Sequence, residues 1–384
     1  MASEVAGQGD HAEIAPALRR EVRAFLRYAL DRGDYRPACD AWQSGWDPAF
    51  SRRLAERGWV GMTIPVHYGG HGRSPLERFA VTEELVAAGA PVAAHWVADR
   101  QMAPSLLRYG SEEQKHRFLP AIARAECFFA IGMSEPDSGS DLASVRTTAV
   151  RADGGWVLEG TKLWSSGAHR AHAMVVLART EKLDPAHRHA GLSQFIVPTD
   201  SPSLQIRRIV LATGEHHFNE VVFAGTFVPD SMVLGDPGSG WQQVTSELAY
   251  ERSGPERYLS TYPLLEHTVT ACRAQPDQAA EQELGIRLAR LWALHHLSAR
   301  VARELTAGEA VDVTASLVKD LGTRFESEVV ETARRLVDPE PDLGSPDDGV
   351  ELFSQAVAHL PTFTLRGGTN EILRGVVARG LGLR

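Results

Sequence analysis

Cysteine is scarce: Cys39, Cys127 and Cys272 are odd in number and far apart. They offer neither a disulfide framework nor a zinc cluster, and they fit a reducing cytoplasm. No apolar stretch approaches the ~20 residues that a membrane-spanning helix needs, so no membrane span is expected. Basic residues are outnumbered, 40 Lys and Arg against 49 Asp and Glu. Nucleic acid and anionic lipid both reward a basic face, so neither is expected as the main partner. The opening MASEVAGQGDHAE has no basic stretch followed by an apolar block and reads as a short disordered lead-in, not a secretory signal. His216–His217 and His295–His296 are adjacent pairs, whose side chains diverge on a helix, and no metal site is expected.

What is present is an ordinary globular composition, long enough at 384 residues for two or three packed layers. Its period changes twice. From Ile14 to Arg124 it is helical: Ile14, Leu18, Val22, Phe25, Leu26 and Leu30 recur at spacings of three and four. A second helix is expected through Phe50 to Arg57. Tyr68 to Gly72 break the chain, Pro75 suits the first turn of the next helix, and Ser111 with Glu112 and Glu113 caps another. Near Phe128 the pattern turns to short strands. Asp153-Gly154-Gly155 marks a hairpin, and MVVLAR, QFIVP, QIRRIVL and EVVFAGTFVP come after it. Gly235, Gly238 and Gly240 lack a following Lys-Ser/Thr and a βαβ context, and read as a hinge between domains. Helical spacing then returns, with Leu317, Leu321, Phe325, Val329 and Ala333 on one stripe. The expectation is an α+β chain: a helical domain over 1–127, a small antiparallel β domain over 128–240, and a helical bundle over 241–384. Strands and helices do not alternate, which excludes a doubly wound sheet.

Several segments, in order, resemble the acyl-CoA dehydrogenase family. They are GWVGMTIPVHYGGHG from Gly58, the long run YGSEEQKHRFLPAIARAECFFAIGMSEPDSGSDLASVRTTA from Tyr109, GTKLWSSGA, HHFNEVVFAGTFVP, and the final RGGTNEILRG. The resemblance covers about residues 55–384. It implies an N-terminal helical domain, a middle β domain and a C-terminal four-helix bundle, with FAD between the β domain and the bundle. It also implies an acyl-CoA or acyl-carrier substrate, an electron-transfer flavoprotein as acceptor, and a homodimer or homotetramer.

By that resemblance, Met133 and Ser134 touch the flavin ring and Ser140 sits by the acyl-CoA entrance. Small residues around Gly139 suit close backbone approach to a ligand, although an Asx/Gly turn would carry the same pattern. Trp164 and Ser166 flank the flavin, the hydroxyl near its N5. Two positions apart on a strand, they would point the same way. Thr369 contacts the FAD diphosphate or ribose, and Asn370 and Glu371 match the same segment. An acid beside a diphosphate counts against the Glu371 contact. His95, Trp96, Asp99 and Arg100 fall where relatives line the acyl pocket. They hint at a short, branched or functionalised acyl group, or equally at a buried ion pair beneath the pocket.

Abstracting a proton α to a thioester requires a carboxylate sheltered from water. Many relatives carry that Glu before the first Gly-Thr of the last loop, where this chain has Gly367, followed by Gly368 and Thr369. A minority, including isovaleryl and long-chain enzymes, place it on an earlier helix just before an Arg, where this chain has Glu251-Arg252. Glu251 is therefore the expected base, although a Glu-Arg pair on a helix is more often a solvated face. By the resemblance, Arg252 matches a position near the CoA and the active-site helix, where its role could equally be structural. Backbone N–H near Gly367 and Gly368, with a flavin ribityl hydroxyl, would polarise the thioester carbonyl. The implied reaction is α,β-dehydrogenation to a trans-2-enoyl thioester.

Two motifs that hold FAD across a subunit boundary in better-known relatives, Arg-x-x-Phe-Gly and Gln-x-x-Gly-Gly-x-Gly, are absent. CRAQPDQAAEQELG and ELFSQAVAHLPTFT stand in their places. A heterotetramer of α2β2 type is thus a second expectation, with this chain as a half-site or non-catalytic partner. A flavin monooxygenase on the same scaffold is a third. The acyl group, its carrier and the pathway are not legible.

Overall fold

The computed structural model describes residues 14–252 and 254–383, with backbone alone for 247–251. Seven helices come first: α1 (Pro16–Asp31), α2 (Ala41–Ser44), α3 (Pro48–Ala55), α4 (Pro75–Ala87), α5 (Ala93–Val97), α6 (Ala103–Tyr109) and α7 (Glu112–Ala123). Local chemistry sets several of their starts. Ser74 and Glu77 close a capping box on α4 behind Pro75, and Ser111 and Gln114 do the same for α7. On α1 the apolar stripe buries Leu18, Val22, Phe25 and Leu26. Leu30 is exposed and Ala29 is buried instead. Arg19 is buried as well, between Glu83 and Glu84 of α4. A π turn over Ala98–Met102 joins α5 to α6, and all five of its residues are buried.

The middle region is one sheet of β1 (Phe129–Gly132), β2 (Thr148–Ala152), β3 (Gly155–Lys162), β4 (Ala173–Arg179), β5 (Leu192–Pro198), β6 (Leu204–Val210), β7 (His216–Pro229) and β8 (Val233–Leu234). Its order is β6-β7-β3-β2-β4-β5-β8, with β1 on β4. The pairs are antiparallel except β1 with β4 and a single parallel contact of Thr148 with Arg179. Gly154, at φ +72°, turns β2 into β3. β4 is buried along its whole length, and reads in the sequence as an apolar run from Ala173 to Ala178 closed by Arg179.

Six helices complete the chain: α8 (Gly240–Glu251), α9 (Tyr262–Ala274), α10 (Gln278–Thr306), α11 (Asp312–Leu336), α12 (Asp348–Phe363) and α13 (Asn370–Gly380). α11 is central, packed on α9, α10, α12 and α13. Its stripe buries Val318, Gly322, Phe325, Val329 and Ala333, while Leu317 and Leu321 are half-buried. No helix of the described residues is long and apolar enough to cross a membrane.

Candidate active site

β1 delivers the chain to Met133 and Ser134, and an internal ion pair fixes the turn beyond them. Lys162, at the end of β3, is fully buried and reaches Glu135 at 2.7 Å and the Met133 carbonyl at 3.1 Å. The Glu135 carboxylate also accepts the N–H groups of Arg146 (2.6 Å) and Thr147 (2.9 Å). Burial works against the charge on Glu135, but Lys162 and these donors hold its carboxyl below the ordinary range. Burial brings the Lys162 ammonium down to about 8, with the carboxylate opposing. Glu135 and Ser138 then exchange backbone hydrogen bonds, closing a tight turn that leaves Gly139 and Ser140 exposed.

β3 stops at Lys162, so Trp164 and Ser166 do not owe their placement to strand alternation. Leu163 donates its N–H to the Ser134 carbonyl, and Ser165 donates to the Asn219 carbonyl. Between these anchors Trp164 adopts φ +61° and its ring stands 53% exposed, edge-on to Phe218. Ser166 begins the next turn and is half-buried. The Gly167 N–H bonds the His217 carbonyl, which sets this loop beside the start of β7. Glu215 there meets His359 of α12 at 3.7 Å, so the loop borders the helical region.

From the other side comes α8. Val244 packs with Val145, Leu177 and Leu192, and half-buried Met133 joins that cluster. Glu251 is the last residue of α8, and its side chain lies outside the described residues. Arg252 is next and donates Nε–H to the Gly367 carbonyl at 3.1 Å. The end of α8 is thereby tied to the turn before α13. Gly367 (φ +68°) and Gly368 (φ +89°) make that turn in a conformation other residues adopt at a cost. Thr369 caps α13, accepting the Ile372 N–H on its hydroxyl. Asn370 points inward instead, bonded to Lys319 and Thr323, and Glu371 is exposed.

Beneath the turn lies a charged interior that the sequence did not announce. A Cβ on Gly367 would sit 2.9 Å from the Arg257 guanidinium. Arg257 and Arg366 both lie over the Trp42 ring, at 5.1 and 4.8 Å. Arg366 pairs with Asp40 and bonds Ser260, which donates its own N–H to Glu326. Burial pushes the Glu326 carboxyl up to about 7. Arg100 reaches Glu256 at 3.7 Å and Thr82 at 2.8 Å. Asp99 accepts the Gly61 N–H, and His95 bonds Ser51. His95, Asp99 and Arg100 are therefore committed to internal partners. Of the three, Arg100 is the one held in a buried ion pair, with Glu256.

The residues fit a flavin by what they leave available. The Trp164 ring is exposed, Ser134 keeps its N–H and hydroxyl out of any hydrogen bond to the described residues, and the buried Ser165 hydroxyl has no protein partner among them. A flat apolar face with donors at its edge is what a fused aromatic ring with a polar rim requires. Met133, Ser134, Trp164, Ser166 and Thr369 would hold it. Among the described residues no group of His, Cys, Asp and Glu is arranged to hold a metal ion.

With a helical domain, a sheet and a second helical region in this order, the chain belongs to the acyl-CoA dehydrogenase family, a family of flavoprotein oxidoreductases. Its residues 13–126 match the family model "Acyl-CoA dehydrogenase, N-terminal domain" and residues 130–226 match "Acyl-CoA dehydrogenase, middle domain". It is 35% identical over 339 residues to acyl-CoA dehydrogenase IpdE1 of Mycobacterium tuberculosis, covering 87% of each chain. Among solved structures it is similar to the Tcur3481-Tcur3483 steroid ACAD, with a TM-score of 0.86 and 29% identity over 98% of this chain and 99% of that one. It is also similar to the ChsE4-ChsE5 complex of Mycobacterium tuberculosis, with a TM-score of 0.80 and 27% identity over 97% and 99%.

Proposed function

We propose that this chain binds FAD and dehydrogenates an acyl thioester, with Glu251 as the base. The reading rests on the bond from Arg252 to the Gly367 carbonyl, which ties the end of α8 to the turn where the usual carboxylate is absent. Position 251 lies seven residues past Val244, about 10 Å along the helix from the cluster that holds Met133. The base then enters from α8 and not from the last loop. Glu251 takes the α proton. When bound, FAD accepts the β hydride. The N–H groups of Gly367 and Gly368 favour the negative charge that develops on the thioester oxygen, and Ser140 and Arg252 line the thioester's approach. Preorganised donors of this kind are typically worth about 3–4 kcal/mol each. The product is a trans-2-enoyl thioester, and an electron-transfer flavoprotein in the cytoplasm would reoxidise the flavin.

Anaerobic titration with a panel of acyl-CoAs, following the oxidised flavin band, tests the reaction and names the acyl group. Glu251→Gln should keep FAD and lose bleaching. Undiminished bleaching by that variant would remove Glu251 from the mechanism.

A second reading has this chain as one half of a two-chain enzyme. Its support is the absence of both subunit-bridging FAD motifs, together with two similar structures that are each described by a pair of chain names. Copurification with a differently encoded partner, with FAD retained only by the pair, would favour it.

A further inference from the structure

The buried ammonium of Lys162 touches one particular peptide group. The carbonyl it bonds, that of Met133, shares its peptide with the Ser134 N–H. That N–H donates to no described residue, although the neighbouring carbonyl of Ser134 and the N–H of Glu135 are both engaged. A hydrogen bond to a peptide oxygen polarises the whole amide and strengthens its N–H as a donor, the more so in a medium of low dielectric. Here the donor to the oxygen is a cation, and the pair is nearly dry: side-chain exposures are 0% for Lys162 and 6% for Glu135. The pair is also held rigidly. Glu135 takes two backbone N–H groups at the entry to β2, so Lys162 cannot turn away from Met133 without breaking a network that joins β1, β2 and β3.

The buried ammonium carries three N–H donors, and one of them is directed at the Met133 oxygen. We propose that Lys162 is a positioning residue that acts through the Met133–Ser134 peptide: it aims and polarises the Ser134 N–H toward the bound flavin, and so favours the electron-rich reduced state over the oxidised one. This rests on the reading of Met133 and Ser134 as the flavin-facing segment. Glu135 in turn fixes the ammonium. Of the other charges near the pair, Arg146 is paired with Asp137, and Arg179 is occupied by the carbonyls of Val145, Ala143, Ala190 and Arg188 and has no hydrogen bond to Met133.

The test is the flavin midpoint potential, read by dye-coupled reduction of purified protein at saturating FAD. Lys162→Met strands a buried carboxylate and is at risk of not folding, so Lys162→Met/Glu135→Gln, which leaves a neutral pair, is measured beside it. Reduction should become about tenfold less favourable in the double variant, a shift of about 30 mV to more negative potential for two electrons. Reduced FAD should bind correspondingly worse than oxidised FAD. Equal weakening of both states, or a wild-type potential in a folded, flavin-loaded variant, overturns the proposal and gives Lys162 a purely structural role. Absence of FAD from the wild-type chain after reconstitution would instead defeat the flavin reading from which it starts.

Discussion

Gly367→Ala adds one methyl group at the turn that receives the end of α8, and the structure says what that methyl meets. The backbone there has φ +68°, which costs an L side chain about 1 kcal/mol. The new Cβ would lie 2.9 Å from an Arg257 nitrogen. A flexible, solvent-facing arginine would yield at little cost. This one is 1% exposed and lies over Trp42, and its carbonyl is pressed against Gly322 of α11. Displacing a packed side chain typically costs a further 1–3 kcal/mol or so, for a total of about 2–4 kcal/mol.

Gly214→Ala is the control, because Gly214 has φ +80° and nothing within 4 Å of its Cβ position. It should show only the backbone cost, about 1 kcal/mol. At about 2–4 °C per kcal/mol, Gly367→Ala should melt roughly 5 °C below Gly214→Ala in a calorimetric scan. Combining Gly367→Ala with Arg257→Lys, whose head is smaller, should recover part of the difference, a coupling of ~1 kcal/mol in a double-mutant cycle. Equal melting temperatures for the two alanine variants would mean that Arg257 does not press on the turn, and the account of the charged floor beneath Gly367 would fail.

Three further outcomes are expected. Trp164→Ala should leave stability within about 0.5 kcal/mol, since the ring is largely exposed. It should weaken FAD binding by about 0.5–1.5 kcal/mol in a fluorescence titration, and unchanged affinity would take Trp164 out of the site. Gly367→Glu should not restore bleaching to Glu251→Gln, because a carboxylate beside the Arg257 guanidinium is held ionised and weakly basic; recovery of turnover would contradict this. Stability against pH should carry two opposing slopes. His95 and His217 are pulled down to about 4 by burial, so unfolding gains protons below about 6.5 and their contribution is lost as pH falls toward 4, about 2 kcal/mol each by pH 5. Glu326, pushed up to about 7, acts in the other sense: its protonated form suits the fold, and stability is lost as pH rises toward 7. Urea unfolding of Glu326→Gln between pH 5 and 7 should therefore show a steeper acid loss than the parent, and parallel curves would refute the assignment.

Most of the fold was legible because its signals are local. Pro75 marks a helix start by its fixed φ in the first turn, and Ser111 marks one through bonds that span three residues. Asp153-Gly154-Gly155 marks the hairpin because φ there must be positive. Alternation failed at Trp164 and Ser166, where the determinant was not the strand's own period. Leu163 leaves the ladder for the Ser134 carbonyl, a partner just past the end of β1 that no short window of sequence contains.

The site's interior obeys the same rule at longer range. Lys162 and Glu135 are 27 residues apart, and Arg366 and Asp40 are 326 apart. Each residue alone reads as a surface charge, because solvation is the default for a lone Lys or Asp. A buried charge without its partner is costly, so each pair could form only once the fold had brought both members together. What a single sequence could offer was indirect: a Lys closing the strand GWVLEGTK, and an Arg just before Gly367 and Gly368. The turn at Gly367 and Gly368 shows why this matters for chemistry. The sequence identifies an empty position; the structure adds the Arg257 guanidinium beside it, which is the ground for expecting a carboxylate returned there to be a weak base and is consistent with the proposed entry of the base from α8.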